Sequence, residues 1–498
     1  MRVSFWGVVL VLASCPAVGF AQPEESNFGD IVPEKAIRIT ISGELKLSLA
    51  SRNSRVFKAI LGAARSGQTP VPLAGTASAP RLGPGLTAAQ SATPLGGTGS
   101  ETILKPTIAL NLDVQLADGV NTVLTLQTPY QFGDEGGTNT SSTPGVVRRN
   151  LEVEQLYVNW KGAFVPELTL RFGIQEFKQD FTGSGNPFFV DVSRAETPFD
   201  NPGPNNAAAG TADVGAPQSA SAGLVNSQEA AGLHALYELG DLDLELFYFT
   251  IGETYRKNSD RTLFGLSLST ASDLTEEMAW SAGVGLYMLQ NDSSSVIYTV
   301  GGGGAIHLMN ESLKLYGEGY VQGGDYREIG GPANGISQRN AFALYGGFRY
   351  TLPDVTGSPF FDVSYWEISG DDNGGDSRNT AFVSLENNND TIIVEDGLYG
   401  LDIDQNYRAI KAKAGFSPHS QLRVDALYAF FQLHENNGTY SAAGTTQDKI
   451  GDEFDVSLRY FATDYLTFRA AAGWLVDPKA LGLSSELSIF LLEARVEF

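Results

Sequence analysis

Hydrophobic and polar residues alternate along most of the chain from residue 36 onward. In the first run, Ile39, Ile41 and Leu45 share one face, while Thr40 and Glu44 share the other. A period of two is typical of a β-strand that separates an apolar from a polar environment. About eighteen such segments follow one another: 36–50, 105–116, 120–132, 150–161, 167–178, 229–239, 242–253, 261–271, 278–290, 296–309, 312–323, 340–352, 359–369, 405–416, 421–434, 449–461, 465–475 and 487–498.

The connections between these segments alternate in length. Short turns are predicted at 117–119, 162–166, 240–241, 310–311, 417–420 and 462–464, and long connections lie between them. Transmembrane β-barrels have this arrangement, with short periplasmic turns and long extracellular loops. We therefore predict an all-β fold, a single transmembrane antiparallel β-barrel of about 18 strands over residues 36–498, with long loops 51–104, 179–228 and 370–404.

A soluble all-β protein is the alternative to a membrane barrel. Its strands average about five or six residues, which is shorter than most of the segments here. Loop 370–404 carries nine acidic side chains against the single Arg378. We interpret it as a solvated acidic loop, with divalent-cation binding as the alternative.

The two ends of the chain indicate export to the outer membrane. Arg2 precedes an apolar run, and Gly19 and Ala21 stand at −3 and −1 of a cleavage site, so residues 1–21 are expected to be a cleaved signal peptide. Cleavage before Cys15, as in a lipoprotein, is the alternative. Residues 22–35 are then a periplasmic N-terminal segment. The last strand ends in Phe498, the usual handle for the barrel-assembly machinery.

Composition narrows the possible functions. Charged residues make up 18% of the chain, below the roughly 25% of an average soluble domain. The net charge of −24 argues against nucleic-acid binding, and one Cys and four His leave little for metal or acid–base chemistry. We predict no enzymatic activity, no cofactor and no metal. The expected partners are outer-membrane lipid and lipopolysaccharide, the assembly machinery and a hydrophilic solute.

If the apolar faces contact lipid, the polar faces line a pore. Bases concentrate in the last third of the chain and acids in the middle, so one wall is expected to be basic and another acidic; rings of charge set the selectivity of such pores. Tyr316, Tyr320 and Trp366 are candidates for stacking on sugar rings. The predicted pore-lining residues are Arg38, Lys46, Arg171, Lys314, Glu318, Tyr320, Arg349, Lys411, Lys413, Arg423, Arg459, Arg469, Asp243 and Glu245.

Several stretches resemble the alginate-export family of outer-membrane proteins. Residues 167–178 are similar to a family strand that ends in Gly-Arg-Gln-Glu-Leu, followed by a loop with an Arg and Phe-Asp, here Arg194 and Phe199-Asp200. Tyr316–Asp325, Ala341–Pro353, Phe361–Asp372 and Gly451–Asp455 resemble later strand ends and starts of the family, in the same order along the chain. In one departure, Ile174 stands where the family usually has Arg.

The pattern and the resemblance together predict an outer-membrane channel of the alginate or exopolysaccharide-export type. A hydrophilic, charged solute is expected to diffuse passively through a charged lumen. Two alternatives remain open: a general diffusion porin, and a surface-interaction barrel whose lumen is plugged by residues 51–104.

Overall fold

The computed structural model describes residues 37–53, 100–132, 146–148, 152–183, 189–192, 230–252, 261–275, 277–292, 295–327, 336–371, 378–383, 390–396, 400, 401, 403, 406–436, 447–480 and 486–498. The chain divides into two compact units, Met1–Arg38 and Ile39–Phe498. The predicted signal peptide, residues 22–35, Arg194, Phe199-Asp200 and most of loop 51–104 lie outside the described residues. Within the described part, no helix combines the length and the apolar character that crossing a bilayer requires.

The described chain is built from β-strands. In chain order they are β1 (Arg38–Asn53), β2 (Ser100–Ala117), β3 (Val120–Phe132), β4 (Val146–Arg148), β5 (Glu152–Lys161), β6 (Leu168–Gln175), β7 (Phe177–Gln179), β8 (Val190–Val192), β9 (Ala230–Leu239), β10 (Leu242–Gly252), β11 (Arg261–Thr275), β12 (Met278–Asp292), β13 (Ser295–Leu308), β14 (Leu313–Arg327), β15 (Ile336–Thr351), β16 (Phe360–Ile368), β17 (Arg378–Asn379), β18 (Tyr407–His419), β19 (Leu422–Leu433), β20 (Lys449–Phe461), β21 (Leu466–Val476) and β22 (Leu487–Glu497).

The long strands close into a barrel. Each pairs antiparallel with the next long strand along the chain, and β1 pairs with β2 on one side and with β22 on the other, from Glu44↔Glu497 to Arg52↔Ile489. The large sheet holds 20 strands, of which β4 and β17 are short additions beside β3 and β15. Eighteen strands therefore form the wall, which confirms the predicted antiparallel β-barrel and its strand number.

Several strands extend further than the sequence pattern predicts. β2 begins at Ser100 rather than 105, β15 begins at Ile336 rather than 340, and β14 continues to Arg327. The extra length lies at the end with long connections, where pairs such as Val296↔Asp325 continue the ladder. We call this the long-loop end and the other the short-turn end; the six predicted short turns lie at the latter.

Side chains alternate between the outside and the interior of the barrel. On β12, Val284 and Leu286 are exposed on the outer face, whereas Tyr287 and Leu289 are 3% and 5% exposed. Leu246 and Tyr248 on β10 are likewise exposed beside buried Phe247. Apolar residues thus cover the outside, as predicted. The interior differs from the prediction in one respect: toward the long-loop end it is apolar rather than polar.

The apolar part of the interior packs against two connections that fold into the barrel. The first is the 177–192 segment, described at 177–183 and 189–192; the Phe177 ring lies 4.3 Å from that of Phe247 and the Phe189 ring 4.9 Å from that of Tyr320. The second is the 378–403 segment, described at 378–383, 390–396, 400, 401 and 403; the Phe382 ring lies 5.6 Å from that of Phe189. The two inserted segments therefore contact each other inside the barrel.

The interpretation of loop 370–404 as a solvated acidic loop is wrong for its described residues. Ile393 and Val394 are fully buried, and even the acidic residues Asp371 and Glu395 are buried. The physical reason is that its apolar side chains join the interior core, and this burial stabilises the inserted conformation by roughly 25 cal/mol per Å² of apolar surface.

The seam between β1 and β22 depends on a glycine. The N–H of Gly43 donates to the carbonyl of Phe498 at 2.8 Å, and the N–H of Phe498 donates back at 3.0 Å. A Cβ atom on Gly43 would lie 2.5 Å from Cζ of Phe498 and 2.7 Å from the carbonyl oxygen of Ala109. A side chain at this position therefore requires the closing strands to move apart.

We expect Gly43→Leu to lower the folded fraction of the barrel. Overpacking at such a site costs about 1–3 kcal/mol, and here the strain falls on the closing strand pair. The measurement is the heat-modifiable mobility of the unboiled protein on a detergent gel, followed against temperature. Gly323→Leu is the matched control, because a Cβ there meets its nearest atom only at 3.9 Å. Equal melting of both variants would contradict the role assigned to Gly43.

Candidate functional site

Three arginines stand side by side on the inner wall. Arg423 on β19 is directly opposite Arg459 on β20, which is opposite Arg469 on β21. Side chains in such pairs have Cβ atoms about 5 Å apart, and like charges placed opposite each other repel. Nε of Arg423 donates to Asp425 at 3.0 Å, and Nε of Arg469 donates to Ser457 at 3.5 Å. We call these residues the arginine row; its electrostatics favour an anion in the interior.

A second basic group lies around Asp362, on neighbouring strands. The strand register places Lys314 opposite Arg349, Arg349 opposite Asp362, and Asp362 opposite Lys413. The hydroxyl of Tyr316 donates to Asp362 at 2.7 Å. These residues line a cavity of about 320 Å³, which we call the central cavity. Three bases around one carboxylate leave this part of the wall with a surplus of positive charge.

Aromatic rings form another side of the central cavity. The rings of Tyr345 and Trp366 are stacked, with centroids 4.6 Å apart, and both residues line the cavity together with Tyr316. Nζ of Lys411 lies 3.9 Å from the centroid of the Trp366 ring. Tyr345 and Trp366 are buried, so stacking of a sugar on either ring requires the inserted segments to move.

The inserted segments close this cavity toward the long-loop end. Lys411, only 3% exposed, forms ion pairs with Glu395 at 2.6 Å and with Asp390 at 3.5 Å. Nζ of Lys314 donates to the carbonyl of Gly183 at 2.8 Å. Each segment is therefore tied to a base of the cavity wall.

Two predicted residues face the interior but are covered by the 177–192 segment. Glu318 and Tyr320 are 5% and 3% exposed, and the hydroxyl of Tyr320 donates to Glu318 at 2.9 Å. The ring of Phe189 covers Tyr320. In this conformation, contact of either residue with a solute requires the segment to move.

The acidic wall lies on the far side of the ring of strands. Asp243 on β10 is opposite Glu238 on β9. Glu245 is engaged: it contacts Nε2 of His234 at 3.3 Å and accepts hydrogen bonds from Gln179 at 3.0 Å and Ser267 at 3.2 Å. Because Gln179 belongs to the inserted segment, Glu245 helps to hold that segment in the barrel.

The remaining predicted residues lie apart from the central cavity. Lys46 pairs with Glu493 at 3.3 Å near the seam. The guanidinium of Arg171 lies 4.7 Å from the centroid of the Tyr157 ring. Arg38 is exposed at the start of β1. None of these residues lines the central cavity.

Sequence reasoning missed the residues that anchor the second inserted segment. Both oxygens of Glu453 accept backbone N–H bonds, from Ile393 at 2.6 Å and from Val394 at 2.9 Å, and Asp455 accepts from Ile392 at 3.1 Å. Burial raises the pKa of Glu395, an effect that the adjacent Lys411 opposes. The available signal was the apolar triplet 392–394 inside an otherwise acidic loop, together with two carboxylates on one face of β20.

Residues 243–478 match the family described as alginate export. This stretch includes the arginine row and every strand that contributes to the central cavity. No curated protein matches the sequence.

Among solved structures, outer-membrane proteins of Pseudomonas aeruginosa are similar. OccK5 (OpdH) has a TM-score of 0.49 and 12% identity, with 92% of this chain and 98% of that chain covered. OpdL gives 0.49 and 9% over the same shares, and opdK gives 0.46 and 10%, with 92% and 99% covered.

Proposed function

We propose that this chain, an outer-membrane β-barrel channel whose residues 243–478 match the alginate-export family, conducts an anionic, hydrophilic polysaccharide by passive diffusion. Short turns of such barrels face the periplasm, so the short-turn end is the periplasmic end. An 18-stranded wall encloses a space wider than its own side chains fill, which leaves room for a solute path.

The observation that carries the proposal is the concentration of bases along one wall, which Asp362 interrupts between Arg349 and Lys413. The arginine row lies toward the periplasmic end, and Arg349, Lys413 and Lys314 continue it to the central cavity. Although the whole chain has a net charge of −24, these bases face the interior. A wall with an excess of positive charge concentrates anions and raises their rate of entry. This function accounts for like charges that lie side by side although they repel each other.

The proposal needs no catalytic chemistry. Binding and conduction along the wall require only fixed charges, hydroxyl groups and aromatic faces, which the described inner wall supplies. We further propose that residues 1–21 are removed after Ala21, that Phe498 is bound by the assembly machinery, and that the exposed apolar belt contacts lipid and lipopolysaccharide.

Ion selectivity in planar lipid bilayers tests this function. We expect the protein to prefer anions, measured as the reversal potential in a potassium chloride gradient, because bases outnumber acids along the conducting wall. The triple variant Lys413→Gln, Arg459→Gln, Arg469→Gln is expected to shift the permeability ratio several-fold toward cations. Oligomers of alginate are expected to block the current more strongly than neutral maltooligosaccharides of equal length.

Arg408→Gln is the matched control, since Arg408 lies on the outer face and pairs there with Glu367 at 2.9 Å. It removes one positive charge without changing the inner wall. A cation-selective parent protein, or a triple variant with unaltered selectivity, would overturn the proposal. A large conductance that neither oligomer blocks would favour a general porin instead.

A further inference from the structure

A second cavity of about 480 Å³ opens at the periplasmic end, between the β15–β16 turn and the β18–β19 turn. Its lining combines two bases with several hydroxyl groups: Arg349, Arg423, Thr356, Ser358, Ser417 and Ser420. We call it the mouth cavity. Arg349 and Thr351 line both the mouth cavity and the central cavity, so the two are neighbours along one wall.

One aromatic ring positions both arginines of the mouth cavity. Cζ of Arg349 lies 4.0 Å from the centroid of the Phe360 ring, and Cζ of Arg423 lies 5.4 Å from it. The ring itself fits against Gly415, where a Cβ atom would lie 2.5 Å from Cε1 of Phe360. Because the ring has no room to move toward the wall, it holds the two guanidinium groups in one place, as preorganised binding requires.

The arginines keep donors for a ligand. A guanidinium carries five N–H donors, and Arg423 uses Nε for Asp425, at 3.1 Å to Oδ1 and 3.0 Å to Oδ2. The contacts of Arg349 and Arg423 with the Phe360 ring are cation–π contacts and use none of the N–H donors. Planar forks of this kind match the geometry of carboxylate and phosphate oxygens.

The hydroxyl-bearing turns are fixed to each other. The N–H of Ser417 donates to the carbonyl of Gly357 at 2.8 Å, and the N–H of Ser358 donates to Val355 at 2.8 Å. Gly357 has a φ of 84°, and a Cβ there would lie 2.6 Å from the carbonyl oxygen of Ser417. The two turns therefore meet closely enough to present their hydroxyl groups as one preformed surface.

We propose that the mouth cavity is a binding site for an oxyanion, a carboxylate above all, borne by a hydroxyl-rich solute that enters from the periplasm. The two guanidinium groups bind the anion, and the turn hydroxyls bind the hydroxyl groups of the solute. Arg349 then passes the anionic group to the central cavity, because it borders both. This inference rests on the proposed polysaccharide path, but the binding itself does not require conduction.

Calorimetric titration of the full-length protein in detergent tests the site. The probes are trigalacturonate, inorganic phosphate and the neutral maltotriose. We expect trigalacturonate to bind and maltotriose not to bind. Arg423→Gln is expected to weaken the binding of trigalacturonate about tenfold, the usual cost of one charged hydrogen-bonding partner. Ser420→Trp fills the cavity without removing a charge and is expected to weaken binding to a similar extent.

Two controls separate the local site from the general charge of the barrel. Arg408→Gln removes an outward-facing arginine, and Asp241→Trp adds the same bulk at the β9–β10 turn; both are expected to bind trigalacturonate as the parent protein does. The heat-modifiable mobility of each variant verifies folding. Binding of phosphate as well as trigalacturonate supports a site for any oxyanion, whereas binding of phosphate alone overturns the requirement for a hydroxyl-rich solute.

The inference and the proposed function fail in different ways. If Arg423→Gln and Ser420→Trp bind trigalacturonate with unchanged affinity, the mouth site is refuted even in an anion-selective channel. If both variants lose binding but the bilayer current shows no anion preference, the site stands and the transport proposal falls. Absence of any trigalacturonate binding by the parent protein also refutes the mouth site.

Discussion

Glu453→Gln is expected to raise the single-channel conductance several-fold. Both carboxylate oxygens of Glu453 accept backbone N–H bonds of the 378–403 segment, from Ile393 and Val394, and the side chain is fully buried. An amide has one acceptor oxygen, and its NH2 group would face an N–H donor. One buried backbone donor is then left without a partner.

The expected loss is about 1–3 kcal/mol, from one unsatisfied buried donor. A change of that size alters the ratio of inserted to released segment roughly five- to a hundredfold. The segment also loses the ion pair between Glu395 and Lys411, because Glu395 reaches Lys411 only when the segment is inserted. Release would widen the path from the central cavity to the long-loop end.

Bilayer recordings measure the conductance, and limited proteolysis with thermolysin measures the release. In the parent protein the bonds before Ile392, Ile393 and Val394 are buried and should be protected. In Glu453→Gln, mass spectrometry is expected to find cleavage there. Glu493→Gln is the matched control: Glu493 also faces the interior, but it pairs with Lys46 and Ser48 on β1. Parent-like conductance together with parent-like protection would refute the anchoring role of Glu453.

The wall of the barrel could be predicted because each strand separates two environments. The alternation of Ile39, Ile41 and Leu45 with polar neighbours records lipid on one side and the interior on the other. Strand ends were predicted less well, since backbone pairing at the long-loop end continues through glycine-rich stretches such as Gly323–Asp325, where the hydrophobic pattern fades.

The inserted segments could not be predicted in the same way. Their buried residues have no period: Phe181 is a single apolar side chain between Asp180 and Thr182, and Ala381–Val383 and Ile392–Val394 are short apolar runs within an acidic loop. A segment that is enclosed on all sides contacts many strands. Those contacts depend on the tertiary structure, so they leave no periodic pattern in the sequence. Lys411 illustrates the result, because its position on the inner face followed from alternation, whereas its pairing with Glu395 did not.

The sequence pattern predicts a polar interior throughout the barrel because it does not show where the inserted segments pack. Inward positions near the long-loop end, such as Phe247 and Leu289, are apolar, and the strands there are apolar on both faces. Their partners are residues of the inserted segments. The interior is therefore apolar toward the long-loop end, where the two inserted segments pack, and charged toward the short-turn end.

The 177–192 segment packs against β12 through the ring of Phe181. Phe181, 4% exposed, lies over Gly283 of β12, where a Cβ atom would be 2.0 Å from Cδ1 of its ring. Gly283→Leu is therefore expected to expel the ring. Loss of a buried Phe side chain from its site costs about 1.5–3 kcal/mol, and the bond from Ser281 to the carbonyl of Phe181 is lost with it.

Expulsion of Phe181 should release the neighbouring contacts in turn. Thr182 shares a hydrogen bond of 2.9 Å with Tyr345, and Lys314 binds the carbonyl of Gly183 at 2.8 Å. Both partners line the central cavity, so their release is expected to increase conductance and to strengthen the block by alginate oligomers. The stronger block follows because Lys314 becomes available to the solute.

Gly319→Leu is the matched control for this prediction, because it places the same side chain on the outer face of β14, where a Cβ meets its nearest atoms at 3.9 Å. Its conductance and block should equal those of the parent protein. Combining Gly283→Leu with Glu453→Gln tests whether the segments act together: since the Phe189 and Phe382 rings contact each other at 5.6 Å, release of one segment removes part of the support of the other. The conductance gain of the double variant should therefore fall short of the product of the two single gains. Independent, multiplicative gains would mean that the contact between the segments carries no coupling.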